Sequence, residues 1–403
     1  MEKKILHGGI TLITEKRESN SIAIAVGVRV GSNNEPKNMH GVSHFLEHML
    51  FEGTKKRPNA TIISNEVKSR GGEFNAYTSN ERTVFYIKML PKHFDIALDT
   101  ISDMLLNSTF NPKFIEKEKK VILKEINMVI DEPRFHQWIL FQRSVFKNHP
   151  AGNPTYGTIK SVKSITRKDM VSYYRRHYVS GNLVLAVVGN LPDTDTIARK
   201  VNEKFSGTRN VDTPKQVILY KEIQNKQRIK VERRKILNAY MVMGYSTPIR
   251  EESDSYVLDV IKALLARGQS GRIVEEIRIK KGLAYEINLQ HDSNKGFGLF
   301  AVYLNSDKKN IPLIKKMILK EFIELKNVTD KEINISKGFI EGHYIMEQED
   351  NFRLADNFIF WEHIKDVQLH YSYIDTIMKV TKKDIIRVAK EYINKNYTMA
   401  LIE

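Results

Sequence analysis

The sequence predicts an α+β fold of two homologous domains, each a mostly antiparallel sheet packed against helices. Three observations carry that expectation. Runs rich in β-branched residues, such as Ser21 to Val30, are interspersed with stretches of helical periodicity, such as Pro112 to Ile130. The element order of the first half returns in the second. Finally, Ile165-Thr166-Arg167-Lys168-Asp169 leads into a helix and then a strand, and Val380-Thr381-Lys382-Lys383-Asp384 does the same near the C-terminus. The alternative is two unrelated mixed domains that share an order by coincidence. A chain of 403 residues is long enough for two cores. The expected division is an N-terminal domain over 1–206, a linker over 207–215 and a C-terminal domain over 216–403. The linker is placed where Gly, Thr, Asn, Asp and Pro cluster.

In the first half, strands are expected over Lys4 to Leu6 and Ile10 to Thr14, flanking a Gly8-Gly9 turn, and over Ser21 to Val30. Helices fit Met39 to Phe51 and Asn59 to Arg70, the second ending at Gly71-Gly72. Strands Glu73 to Thr78 and Thr83 to Leu90 follow. Then come helices His93 to Asn107, Pro112 to Ile130 and Phe135 to Phe146, a Gly/Pro-rich loop, a helix Arg167 to His177 and a strand Leu183 to Val188. The second half reads as strands Gln227 to Glu232 and Ala239 to Tyr245, helices Asp254 to Leu265 and Arg272 to Lys280, and strands Ala284 to Gln290 and Gly298 to Tyr303. Helices Ile311 to Leu325, Asp330 to Gln348, Arg353 to Ile364 and Lys383 to Asn394 and a strand Thr398 to Ile402 complete it.

Composition narrows the chemistry. There is no cysteine, so disulfides, thiolate nucleophiles and Cys-bound metals are excluded, and any metal must be held by His, Asp or Glu. The net charge of +16 allows a nucleic-acid binder. The basic residues, however, are spread along the chain and alternate with acids, as in Glu116-Lys117-Glu118-Lys119-Lys120, which reads as a solvated surface. No nucleic-acid or membrane partner is expected. A charged start without an apolar segment after it predicts a cytoplasmic protein.

The segment that points to chemistry is His44-Phe45-Leu46-Glu47-His48. On a helix each residue turns by about 100° and rises about 1.5 Å, so His44 and His48 stack on one face with Glu47 beside them. Two imidazoles so placed can reach one metal ion, and the carboxylate can reach water at that ion. The plain alternative is a helix with two satisfied histidines and a surface Glu. A catalytic zinc needs a third protein ligand. Glu125 sits among Val121, Ile122, Leu123 and Ile126, where a carboxylate calls for a metal or a charged partner, and Glu118, seven residues earlier, shares its helix face. Lys124 cannot ligate as an ammonium.

From GVSHFLEHMLFEGT through GGEFNAYTSNERTVFY to EKEKKVILKEI and DEP, the chain resembles the pitrilysin-type metallopeptidases of family M16. It is most similar to the short subfamily that includes mitochondrial processing peptidase and its bacterial relatives. The resemblance implies one zinc ion per chain on His44, His48 and Glu125, with Glu47 as general base and Glu118 supporting the site without binding metal. It implies that the Glu73 to Thr78 strand pairs with an extended peptide substrate beside Asn75 and Ala76. In the second half, Arg278 and Tyr285 match the family's paired Arg and Tyr, which hold the substrate backbone and its scissile carbonyl; alone they read as a surface Arg and a half-buried strand Tyr. The family encloses peptides in a chamber of four homologous domains, so a chain with two implies a dimer. A homodimer is expected, a heterodimer with an inactive homologue being the alternative. The alternative to a peptidase is a non-catalytic scaffold or processing subunit of a larger assembly.

Overall fold

Eleven strands of the described residues build two sheets, whose apolar central strands must be covered to be stable. The computed structural model describes residues 1–210 and 226–403, so residues 211–215 of the expected linker lie outside the described residues. The first sheet contains β1 (Glu2–Ile5), β2 (Thr11–Lys16), β3 (Ile22–Val28), β4 (Glu73–Thr78), β5 (Thr83–Met89) and β6 (Leu183–Gly189), in the order β1-β2-β6-β3-β5-β4. The second contains β7 (Arg228–Glu232), β8 (Asn238–Thr247), β9 (Glu286–Ser293), β10 (Gly298–Asp307) and β11 (Thr398–Ile402), in the order β7-β11-β8-β10-β9.

The two sheets follow the same path. β2 pairs with β6 in parallel, and so does β7 with β11. Every other pairing is antiparallel, and β3-β5-β4 is matched by β8-β10-β9. Among the described residues, β1 alone has no counterpart. The sequence echo has a physical basis as well. Thr166 and Thr381 are N-caps, and Asp169 and Asp384 close a reciprocal capping box with them.

Helices are α1 (Val42–Phe51), α2 (Ala60–Lys68), α3 (Phe94–Asn107), α4 (Pro112–Asp131), α5 (Pro133–Val145), α6 (Ile159–Ser164), α7 (Arg167–His177) and α8 (Thr194–Lys204) in the first half. The second half has α9 (Ser253–Ala266), α10 (Arg272–Val274), α11 (Ile311–Glu324), α12 (Asp330–Glu347), α13 (Asn351–Ile364), α14 (Leu369–Lys379) and α15 (Lys382–Tyr392). Beyond Val274 the chain continues as a π-helix, Glu275–Lys280, where a single α-helix was expected. Helices α6, α8 and α14 were not expected from the sequence. No helix of the described residues is long and apolar enough to cross a membrane.

β3 and β6 are buried at every residue, which requires cover on both faces of the sheet. Alternate residues serve the two faces. Leu183, Leu185 and Val187 meet Phe45, Leu46 and Ile101, whereas Val184, Ala186 and Val188 meet Leu354, Phe358 and Ile359 of α13. α13 approaches closely enough that a Cβ at Gly27 would lie 2.4 Å from an Ile359 methyl. Two compact units result. One comprises Met1–Asn127, the described part of Pro154–Val217, and Glu347–His370; the other comprises Met128–Asn153, the described part of Ile218–Met346, and Tyr371–Glu403. Each unit therefore takes a helix from the opposite half of the sequence. In the second, α5 places Leu140, Phe141 and Val145 against Val242, Leu299 and Ala400.

Candidate metal centre

Helix α1 is anchored by its apolar side. Phe45, Leu46, Met49 and Leu50 are buried in the first core, and the opposite side presents His44, Glu47 and His48, all half-buried. The helix starts at Val42, three residues later than expected, because Gly41 holds φ at 93°. A side chain there would also strike the Tyr156 carbonyl. Gly41 has no side chain with which to cap the helix. The buried Glu35 carboxylate caps it instead, accepting the Gly41 N–H at 2.7 Å and the Ser43 N–H at 2.8 Å.

Helix α4 supplies the facing carboxylates. Ile115, Ile122 and Ile126 bury one face, and Glu118 and Glu125, two turns apart, look toward α1. Glu125 Oε2 lies 3.6 Å from His48 Nε2 and 4.0 Å from His44 Nε2. The His44 and His48 rings meet edge-on with centroids 4.7 Å apart. One ligand atom from each of the three residues falls within 4.8 Å of the other two. Among the described residues this is the one group of three or more His, Asp or Glu side chains so arranged.

The surroundings set the protonation states. Burial, reinforced by the neighbouring His48, pushes the His44 imidazole down to about 3, so it is neutral at physiological pH and free to ligate. For His48 burial pulls downward, but the hydrogen bond to Glu118 and the nearby Glu125 and Glu47 outweigh it, and the net direction is up. Its Nδ1 lies 3.0 Å from Glu118 Oε2, which leaves Nε2 facing Glu125. Glu118 is itself kept ionised. Burial favours its neutral form, yet the contacts with His48 and with Lys117 at 3.2 Å bring it below the usual range. Glu47 moves the other way. Burial raises it, and the hydrogen bond it accepts from Thr78 Oγ1 at 2.6 Å offsets only part of that rise.

These donors fit a small divalent cation. A tetrahedral ion with bonds of about 2.0–2.1 Å to His and carboxylate separates its ligands by about 3.4 Å, and the two histidine–Glu125 distances are close to that. An all-N/O set suits zinc and also manganese or cobalt.

The structure thus brings together His44, Glu47, His48, Glu118 and Glu125. Asn75 and Ala76 lie on β4, the last strand of its sheet, whose outer edge is unpaired among the described residues. Arg278, in the π-helix, and Tyr285, just before β9, are exposed residues of the other unit. The sequence reading missed Glu35 and Thr78. Thr78 was recoverable, because strand periodicity puts it on the same face as Phe74 and Ala76, which pack toward α1.

Residues 11–159 match the family model described as insulinase (peptidase family M16), and residues 164–338 match that of the peptidase M16 inactive domain. An uncharacterized zinc protease of Rickettsia felis is 30% identical over 98% of this chain and 96% of its own length. The uncharacterized zinc protease YmxG of Bacillus subtilis is 28% identical over 98% of this chain and 96% of its own. Among solved structures, a protease from Helicobacter pylori superposes with a TM-score of 0.94 at 23% identity, covering 100% of this chain and 99% of that one. At that identity the likeness speaks for the fold alone.

Proposed function

The chain belongs to peptidase family M16, and on that premise we propose that it is a zinc-dependent endopeptidase whose ion is held by His44, His48 and Glu125 and whose general base is Glu47. The observation that carries the proposal is the convergence of two imidazoles and one carboxylate within 4.8 Å of one another, with Glu47 on the same side of α1. The relatives named as zinc proteases support it. Bound there, zinc supplies Lewis acidity that acidifies water and polarises a peptide carbonyl.

The chain's own residues do the rest. Glu118 accepts the His48 Nδ1 proton and keeps Nε2 directed inward. Glu47, made more basic by burial, takes the proton of the attacking water as its oxygen joins the carbonyl carbon, and passes a proton to the amine as the C–N bond breaks. An extended peptide adds as a strand to the open edge of β4 beside Asn75 and Ala76, so folded proteins are poor substrates. Arg278 steadies the substrate backbone, and the Tyr285 hydroxyl donates to the developing oxyanion. Both are supplied by a second copy of the chain in a homodimer that encloses the peptide.

Metal analysis and a quenched-peptide assay test the core of this reading. Purified protein is expected to carry zinc and to lose and regain turnover with chelator and added zinc. Glu47→Gln should keep zinc and lose about 10²–10⁴-fold in rate, while His48→Ala should lose both. A Glu47→Gln protein that cleaves peptides at the wild-type rate would overturn it.

A further inference from the structure

The two units join their edge strand to a helix through the same kind of contact. In the first, β4 runs Glu73-Phe74-Asn75-Ala76-Tyr77-Thr78; in the second, β9 opens Glu286-Ile287-Asn288-Leu289-Gln290-His291. Asn75 stands opposite Tyr86, and Asn288 opposite Tyr303. Each asparagine Oδ1 accepts the N–H of the next residue, Ala76 at 2.9 Å and Leu289 at 2.8 Å. Three residues beyond each asparagine the strand reaches a helix carboxylate. Thr78 donates to Glu47 of α1 at 2.6 Å, and His291 Nδ1 lies 2.7 Å from Asp259 of α9. α1 and α9 follow the equivalent strands β3 and β8, so the two contacts are counterparts.

They differ in how fully the carboxylate is engaged. Asp259 also receives Arg250 at 2.7 Å and the Tyr373 hydroxyl at 3.1 Å, a closed network suited to holding strand to helix. Glu47 accepts from Thr78 alone among the described residues. One carboxylate oxygen is thereby oriented and the other left available.

Backbone alternation then ties Thr78 to the substrate edge. The Ser79 N–H donates to the Arg82 carbonyl at 2.8 Å, which makes that pair a hydrogen-bonded one. Counting back along the antiparallel ladder, Tyr77 and Asn75 bond to β5, whereas the N–H groups of Thr78 and Ala76 face the open edge. The Asn75 bond to Ala76 N–H agrees with that direction. A peptide added to this edge bonds the main chain of the residue whose side chain holds Glu47.

We infer that Thr78 is a positioning residue, its hydroxyl fixing the Glu47 carboxylate to the strand on which the peptide docks. The inference rests on the peptidase reading given above. Base and scissile bond are then referenced to one strand, and alignment does not depend on the free rotamers of a glutamate.

Thr78→Val, which keeps shape and loses the donor, and Thr78→Ser, which keeps the donor, test it. A hydrogen bond to a charged group is worth about 1.5–3 kcal/mol, so Thr78→Val is expected to lower kcat by about 10- to 100-fold. KM should stay within about two-fold, because the backbone edge is untouched. Zinc content and affinity by chelator competition should be unchanged. Thr78→Ser should recover most of kcat, and it serves if the valine variant folds poorly. His291→Gln, at the counterpart contact, should lower the Tm and leave kcat alone. Unchanged kcat in Thr78→Val, a loss confined to KM, or no recovery in Thr78→Ser would overturn the inference. Wild-type protein without metal-dependent cleavage would overturn the parent reading along with it.

Discussion

Glu35 touches none of the three candidate ligands, yet the place of His44 depends on it. Its side chain is fully buried, and its two oxygens take the N–H groups of Gly41 and Ser43 at the start of α1. Glu35→Ala would leave both amides buried without acceptors, at about 1–3 kcal/mol each. The expected result is a lower Tm together with weaker zinc binding in chelator competition, while Glu35→Gln, which keeps an acceptor oxygen, should retain much of both. At this scale the sequence was legible where chemistry is local. The four-residue spacing of His44 and His48 announces a shared helix face, and an acid at 125 among Val121, Ile122 and Ile126 announces a partner. Thr78 was legible only as far as its strand face, shared with Phe74 and Ala76, whereas Glu35 acts through contacts made only when distant segments close up, and a lone Glu in a loop gives no such notice.

Among the elements, α13 has the largest influence on the site's platform. It lies across the first sheet, burying Leu354, Phe358 and Ile359 completely or nearly so. Its remaining positions grip the β4–β5 hairpin: Asp356 accepts from the Tyr77 hydroxyl, Phe352 stacks on Tyr86 at 3.5 Å between ring centroids, and the Arg82 guanidinium sits 5.1 Å from the Phe360 ring. Phe358→Ala is expected to cost about 3–5 kcal/mol, read as a shift in the denaturant midpoint, and to lower peptide turnover through the loosened hairpin. The existence of α5 and α13 was legible from periodicity. Their destinations were not, because an apolar helix face does not say which sheet it will meet. α6 spans 6 residues, too few to show a period. The π-helical turn at Glu275–Lys280 reflects a change in backbone hydrogen bonding that no residue there signals. α8 could have been found, since Ile197, Ala198 and Val201 keep helical spacing behind the Asp193 cap.

For the whole molecule, duplication is the governing fact. Two sheets with one connectivity carry a metal-type cluster in the first unit and, among the described residues, none in the second. The repeated element order was readable from the sequence because strand and helix periods survive divergence, whereas the exchange of helices between the units was not. A homodimer in which Arg278 and Tyr285 serve the partner copy makes a quantitative prediction. Tyr285→Phe and Glu47→Gln proteins, each impaired alone, should regain about a quarter of wild-type activity when mixed in equal amounts and allowed to exchange, since half the dimers are mixed and each has one complete site. No recovery after exchange, with mixed dimers verified by mass, would rule out lending between copies. The amides of Ala76 and Leu289, each already occupied by the asparagine before it, bear on how such a molecule survives at high concentration. A bare rim of β-structure invites any passing chain, copies of itself included, and grows into fibrils. With those two amides occupied, a strand joining either rim must first displace an asparagine, which disfavours casual self-association and leaves the rim open to a guest that can make up the loss.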